Sequence, residues 1–162
     1  MRRLDKKLNA DETKYMVMYG LLFWGSSTES IKVFKLQKRI IRIMMGYKSN
    51  QSCRELFIKL GILPLPYQFI LSLLLFLNKN RNHFMVNSAI YQYDTRQQSN
   101  FHQPPANLTK YQKGICYLGV KVFNKLPPNI KNDFENSRKF KQSLKNFLNE
   151  KSFYSLHEYF EL

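Results

Sequence analysis

The 162-residue chain is predicted to be mainly α, a small helical bundle in two helical clusters joined by a long polar loop. Three observations predict this. Apolar residues recur at helical spacing in 30–45 and again in 137–148. Glycine and proline are few, six of each, and most stand at the ends of periodic stretches, where they punctuate helices. Between about 79 and 107 the apolar period fails. The organisation expected is therefore an N-terminal cluster over 1–78, a polar loop over 79–107 and a C-terminal cluster over 108–162.

Taken in order, Leu4 to Trp24 has a helical pattern weakened at Gly20. Gly25 to Thr28 form a turn, from which Ser27 or Thr28 can cap a second helix. That helix ends at Gly46, a residue suited to the position just past a helix C-terminus. A short helix begins near Ser49 or Asn50, carries Cys53, Leu56, Phe57 and Leu60, and stops at Gly61. Residues 62–66 hold two prolines and form an extended connector, since a residue before proline avoids the α region. Pro66 opens an apolar helix that runs to about Asn78, buried on most sides. Beyond the polar loop, which is expected to be the most mobile part, 109–126 reads as one helix with Tyr111, Ile115, Leu118 and Val122 on a face. The alternation in 119–123 also permits a strand. Asn136 or Ser137 caps the next amphipathic helix, whose apolar face is Phe140, Leu144, Phe147 and Leu148. A last short helix falls within 153–160.

The charge is one-sided: 26 Lys and Arg against 11 Asp and Glu, a formal net charge of +15. In the second helix Lys32, Lys35, Arg39 and Arg42 recur at i, i+3, i+7 and i+10, with Lys38 at the margin. Phe34, Ile41 and Met45 point away from them, beside Val33, Leu36, Ile40 and Met44. Such a helix buries one side and presents cations on the other. A charge run is ordinarily a solvated face. On so basic a chain it is also what a phosphate backbone would meet. Arg138, Lys141 and Lys145 make a second basic line.

Residues for catalysis do not assemble. Asp5, Asp11, Asp94 and Asp133 stand apart, with no carboxylate pair to hold metal ions. His83, His102 and His157 have no partner at ligand spacing, and Cys53 and Cys116 have no neighbouring thiol. Both cysteines are read as core residues in a reducing compartment. No catalytic residue, metal site or cofactor is predicted. Tyr91, Tyr93, Phe101 and Tyr111 stand near Arg96, Lys110 and Lys113, where rings could stack on unpaired bases. The favoured reading is that these loop rings fold back on the core. The acidic residues ahead of 15–24 argue against a signal peptide. The apolar run 69–77 falls short of the ~20 residues that span a bilayer. A nuclear or cytoplasmic protein, neither secreted nor membrane-embedded, is expected.

Five stretches together resemble a known family. They are 19–25 (Tyr-Gly-Leu-Leu-Phe-Trp-Gly), 33–44 (Val-Phe-Lys-Leu-Gln-Lys-Arg-Ile-Ile-Arg-Ile-Met) and 53–68 (from Cys-Arg-Glu-Leu-Phe to Pro-Leu-Pro-Tyr-Gln). The others are 107–131 (from Asn-Leu-Thr-Lys-Tyr to Leu-Pro-Pro-Asn-Ile-Lys) and 140–148 (Phe-Lys-Gln-Ser-Leu-Lys-Asn-Phe-Leu). In this order they resemble the C-terminal tail of Jockey-like non-LTR retrotransposon reverse transcriptases of insects, the region after palm and thumb. The resemblance implies a piece of an RNA-directed DNA polymerase without its palm or endonuclease, so no catalytic residue carries over. It also implies a shortened stretch ahead of residue 19, as in a rearranged copy.

The expected function is non-catalytic binding of RNA or DNA backbone, tolerant of sequence, through Lys32, Lys35, Lys38, Arg39, Arg42, Arg138, Lys141 and Lys145. The polymerase thumb of a parent element is a further expected partner. The alternative is a structural remnant or orphan interaction module without independent activity. A weaker third reading is attraction of the same cations to an acidic membrane surface.

Overall fold

The computed structural model describes residues 20–91, 97–151 and 153–161. Of the first expected helix, residues 20–24 are helical, and 4–19 lie outside the described residues. Seven longer or shorter helices carry the architecture that follows: α1 (Thr28–Met44), α2 (Arg54–Leu60), α3 (Leu65–Lys79), α4 (Asn87–Ile90), α5 (Thr109–Gln112), α6 (Ile115–Asn124) and α7 (Pro128–Asn132). Two more close the chain, α8 (Ser137–Lys151) and α9 (Leu156–Phe160). The described residues are thus mainly helical, as the periodicity predicts, and contain no strand beyond one isolated bridge.

The helix ends have distinct causes. Ser27 does not cap α1 with its side chain: its hydroxyl donates instead to the Trp24 carbonyl at 2.6 Å, closing the preceding turn. Both α1 and α2 end on a glycine with positive φ, Gly46 at 69° and Gly61 at 62°. Each then makes the same pair of bonds. Tyr47 N–H reaches the Arg42 carbonyl and Gly46 N–H that of Ile43; Ile62 N–H reaches Phe57 and Gly61 N–H reaches Ile58. This 6→1 and 5→2 pairing satisfies carbonyls that the helix leaves open. Helix α2 starts at Arg54, four or five residues later than the sequence suggests, after a turn over 48–51 closed by Gln51 N–H on the Lys48 carbonyl.

Helix α3 is the hub. Tyr67, Ile70, Leu73, Leu74 and Leu77 are fully buried on it, and α1, α6 and α8 all pack against it. Gly119 lets α6 come close, since a Cβ there would stand 3.3 Å from Leu77 Cδ1. The two helical clusters therefore share one core across the loop. Its two buried polar residues among those described are satisfied: Ser72 donates to the Gln68 carbonyl, and Asn78 donates to the Phe134 carbonyl at 2.6 Å while accepting from Ser137 Oγ at 2.7 Å. Burying such groups without partners would cost on the order of 1–3 kcal/mol each.

The loop departs from the structureless expectation. A 3-10 turn (Arg81–His83) and α4 occupy its first part, and Val86 pairs with Phe101 in an antiparallel bridge. Phe101 is buried against Phe123, at 4.6 Å between ring centres, and against Phe134 at 5.5 Å. A lone aromatic in a polar stretch has no period, so its burial is invisible to pattern reading. The expected single helix over 109–126 is broken into α5 and α6 at Lys113 and Gly114, where Gly114 turns extended (ψ 146°). Residues 119–123 are helical, which removes the strand alternative. The Leu126–Ile130 stretch opens α7 as well as closing α6. Asn136 caps α8 by accepting from the N–H groups of Arg138 and Lys139, both at 3.2 Å. Helix α9 begins with Ser155 accepting from Glu158 N–H, while the Glu158 carboxylate accepts from Tyr154 N–H at 2.8 Å. This nearly reproduces the reciprocal Ser-x-x-Glu cap.

Candidate nucleic-acid interface

Helix α1 has three faces where the sequence suggests two. Phe34 and Ile41 enter the core, and the half-buried Gln37 bonds the connector ahead of α3, to the Leu63 carbonyl and the Leu65 N–H, both at 3.1 Å. The cations occupy a second arc. Val33, Leu36, Ile40 and Met44, expected on the buried side, are exposed on a third. A helix lying on α2 and α3 offers only one arc to them, and Phe34 and Ile41 already fill it.

Within the cationic arc the residues differ. Lys35 and Arg39 are exposed, and no carboxylate among the described residues pairs with either. Lys32 is also exposed and pairs with Glu29 at 2.8 Å, one turn earlier. Such a pair in water contributes little and exchanges readily for a phosphate. Arg42 is half-buried, and its Nε donates to the Gln51 carbonyl at 2.9 Å, which ties the end of the line to the 46–53 turn. Lys38 turns toward the core instead: its Nζ lies 4.7 Å from the centre of the Phe34 ring and 5.8 Å from that of Tyr154. From Lys32 to Arg42 the line covers roughly 15 Å at the helical rise.

Tyr154 draws in a residue that the sequence reading missed. Arg54 stacks on its ring at 4.6 Å and pairs with Glu158 at 2.8 Å. The ring also stands edge-on to Phe34 and Phe57. Lys38 and Arg54 therefore both face one C-terminal aromatic. Burial, and then the neighbouring Cys53, push the Tyr154 phenol up to about 12, while Arg54 and Arg42 pull the other way. No local signal could have placed Arg54 here, because its partners lie a hundred residues along the chain.

The second basic line lies on α8. Arg138 and Lys141 are exposed and Lys145 is half-buried, its carbonyl accepting from the Tyr67 hydroxyl at 3.2 Å. Helices α1 and α8 each pack on α3 and are not principal contacts of one another. The two lines are thus separate arrays. Of the aromatic residues weighed for base stacking, Phe101 belongs to the core, Tyr91 and Tyr111 are exposed, and Tyr93 lies outside the described residues. Cys53 is buried as expected, but Cys116 is exposed on α6. Its neighbours Ile115 and Tyr117 are only partly buried, so the apolar context did not make it a core residue.

Among the described residues no group of His, Cys, Asp or Glu is placed to hold a metal ion. No single helix among them is long and apolar enough to cross a membrane. Helices α2 and α3 would pass that test only jointly, and they meet at a bend of 64°. No protein-family model, curated protein or solved structure matches the chain.

Proposed function

We propose that this chain is a non-catalytic nucleic-acid-binding module that holds RNA or DNA by its phosphate backbone, as the tail of a Jockey-like reverse transcriptase would. The observation that carries the reading is the carboxylate-poor line of exposed Lys32, Lys35 and Arg39, ending at the half-buried Arg42, on a chain of net charge +15. Cations spaced along a rigid helix release counterions from a polyanion and track its backbone without reading bases. Arg138, Lys141 and Lys145 form a second contact set on α8. Lys38, stacked on two rings, supports the first set from behind.

The test is fluorescence anisotropy of the purified chain with a labelled RNA hairpin and a matched DNA duplex across a salt series. Saturable binding that weakens steeply with salt is expected. The triple variant Lys35→Glu, Arg39→Glu, Arg42→Glu should lose it while keeping its circular dichroism spectrum. Unchanged affinity in that folded variant would overturn the assignment.

A further inference from the structure

The third face of α1 serves neither the core nor the cationic line. Val33, Leu36, Ile40 and Ile43 follow one another at spacings of three, four and three residues, with Met44 beside them. All five are between 43% and 69% exposed. Alternating three and four is the spacing that draws one continuous seam along a helix, into which a second helix packs. Scattered apolar residues on a surface need no explanation, but a contiguous seam with a polar rim marks a contact surface.

Charge selects the occupant. With Val33 and Ile40 at one seam position and Leu36 and Ile43 at the other, Lys32 and Arg39 flank the seam on one side. Gln37 and Met44 flank it on the other, without charge. A second copy laid antiparallel would set Lys32 and Arg39 against the same cations, and two chains of +15 repel in any orientation. The seam is also only about two heptads long, short of the three to four that sustain a coiled coil unaided. An occupant therefore gains most by supplying carboxylates along the cationic flank, which speeds encounter and fixes orientation. We infer that the Val33–Leu36–Ile40–Ile43 seam docks an amphipathic helix of a partner protein, apolar at matching spacing and acidic along the edge that meets Lys32 and Arg39. Glu29, which pairs with Lys32 in the free chain, gives way to the incoming carboxylate.

The probe is a fluorescein-labelled helical peptide as long as α1, with leucine and isoleucine at the seam positions and glutamate on the flanks. Against the full chain at physiological salt it should bind saturably. The double variant Leu36→Ser, Ile40→Ser should weaken binding about tenfold or more, and Arg39→Glu should weaken it comparably. Both variants should keep the parent circular dichroism and melting, because these side chains lie on the surface. Peptides with lysine on the flanks, or with serine at the seam, should not bind. Equal binding of the serine-seam peptide, or unchanged affinity of the folded double variant, would overturn the inference by reducing it to bulk charge. A wild-type dimer in sedimentation that the double variant dissolves would overturn it in favour of a second copy. The double variant should also retain binding to the RNA hairpin, and losing it would reassign the seam to nucleic acid. Peptide and hairpin are read separately, so failure of this inference and failure of the nucleic-acid reading are distinguishable.

Discussion

The Asn124 side chain pairs with both sides of the Phe101 backbone: Phe101 N–H donates to Asn124 Oδ1 at 2.9 Å, and Asn124 Nδ2 donates to the Phe101 carbonyl at 2.8 Å. An amide on α6 thereby imitates a neighbouring strand and closes the loop onto the bundle. Lys131 reinforces the same corner, donating to Asn100 Oδ1 and to the Asn124 carbonyl.

Replacing Asn124 with alanine removes both bonds and leaves the Phe101 backbone groups short of partners. The expected loss is about 2 kcal/mol in urea denaturation. Asn124→Asp keeps the acceptor for Phe101 N–H but sets a second acceptor against the Phe101 carbonyl, so it should also fall below wild type. Equal stability of all three proteins would show that the loop is held by the Phe101 ring alone.

Alkaline pH should destabilise the fold. Burial pushes the Tyr67 phenol up from 10.0 to about 12 and raises Tyr159 further still. Above pH 10 the unfolded chain releases these protons while the native state retains them. Their stabilising contribution is therefore full below pH 10 and is lost as pH rises from 10 toward 12. Lys131 opposes the trend: burial lowers its pKa, so its charge is a native-state cost that deprotonation relieves. Denaturation midpoints at pH 8, 10 and 11 should fall, and Tyr159→Phe should flatten the fall. That variant also gives up the hydroxyl's bond to the Val122 carbonyl, so it should start about 1 kcal/mol lower at pH 8.

The two thiols should separate cleanly. Cys116 is exposed, whereas Cys53 is 1% exposed and lies under the α1–α2 corner, its thiol 3.6 Å from the Lys38 carbonyl. Maleimide added to the native protein should give a single adduct at Cys116 by mass spectrometry, and a second at Cys53 only in denaturant. Rapid native labelling of Cys53 would mean that this corner opens far more readily than its packing implies.

For backbone binding, the salt dependence counts contacts. Arg39→Ala and Lys35→Ala should each reduce the slope of log affinity against log salt by about 1, and equally for RNA hairpins of different sequence. A variant that weakens binding without changing the slope would place its residue outside the phosphate contacts.

Local sequence carries the helical class, the stops at Gly46 and Gly61, a cap at Asn136 or Ser137 and the spacing of the cations on α1. These depend on neighbours within one or two turns, where propensity, capping and period act directly. It could not reveal that Val33, Leu36 and Ile40 stay in water, because periodicity shows which residues share a face and not which face meets the core. Nor could it bring Arg54 to Tyr154, bury Phe101 from within a polar loop, or leave Cys116 exposed. Those outcomes are decided by α3, which collects α1, α6 and α8 around itself and so settles which arc of each is covered. Contacts between residues tens to a hundred positions apart carry no local pattern, and only the packed chain discloses them.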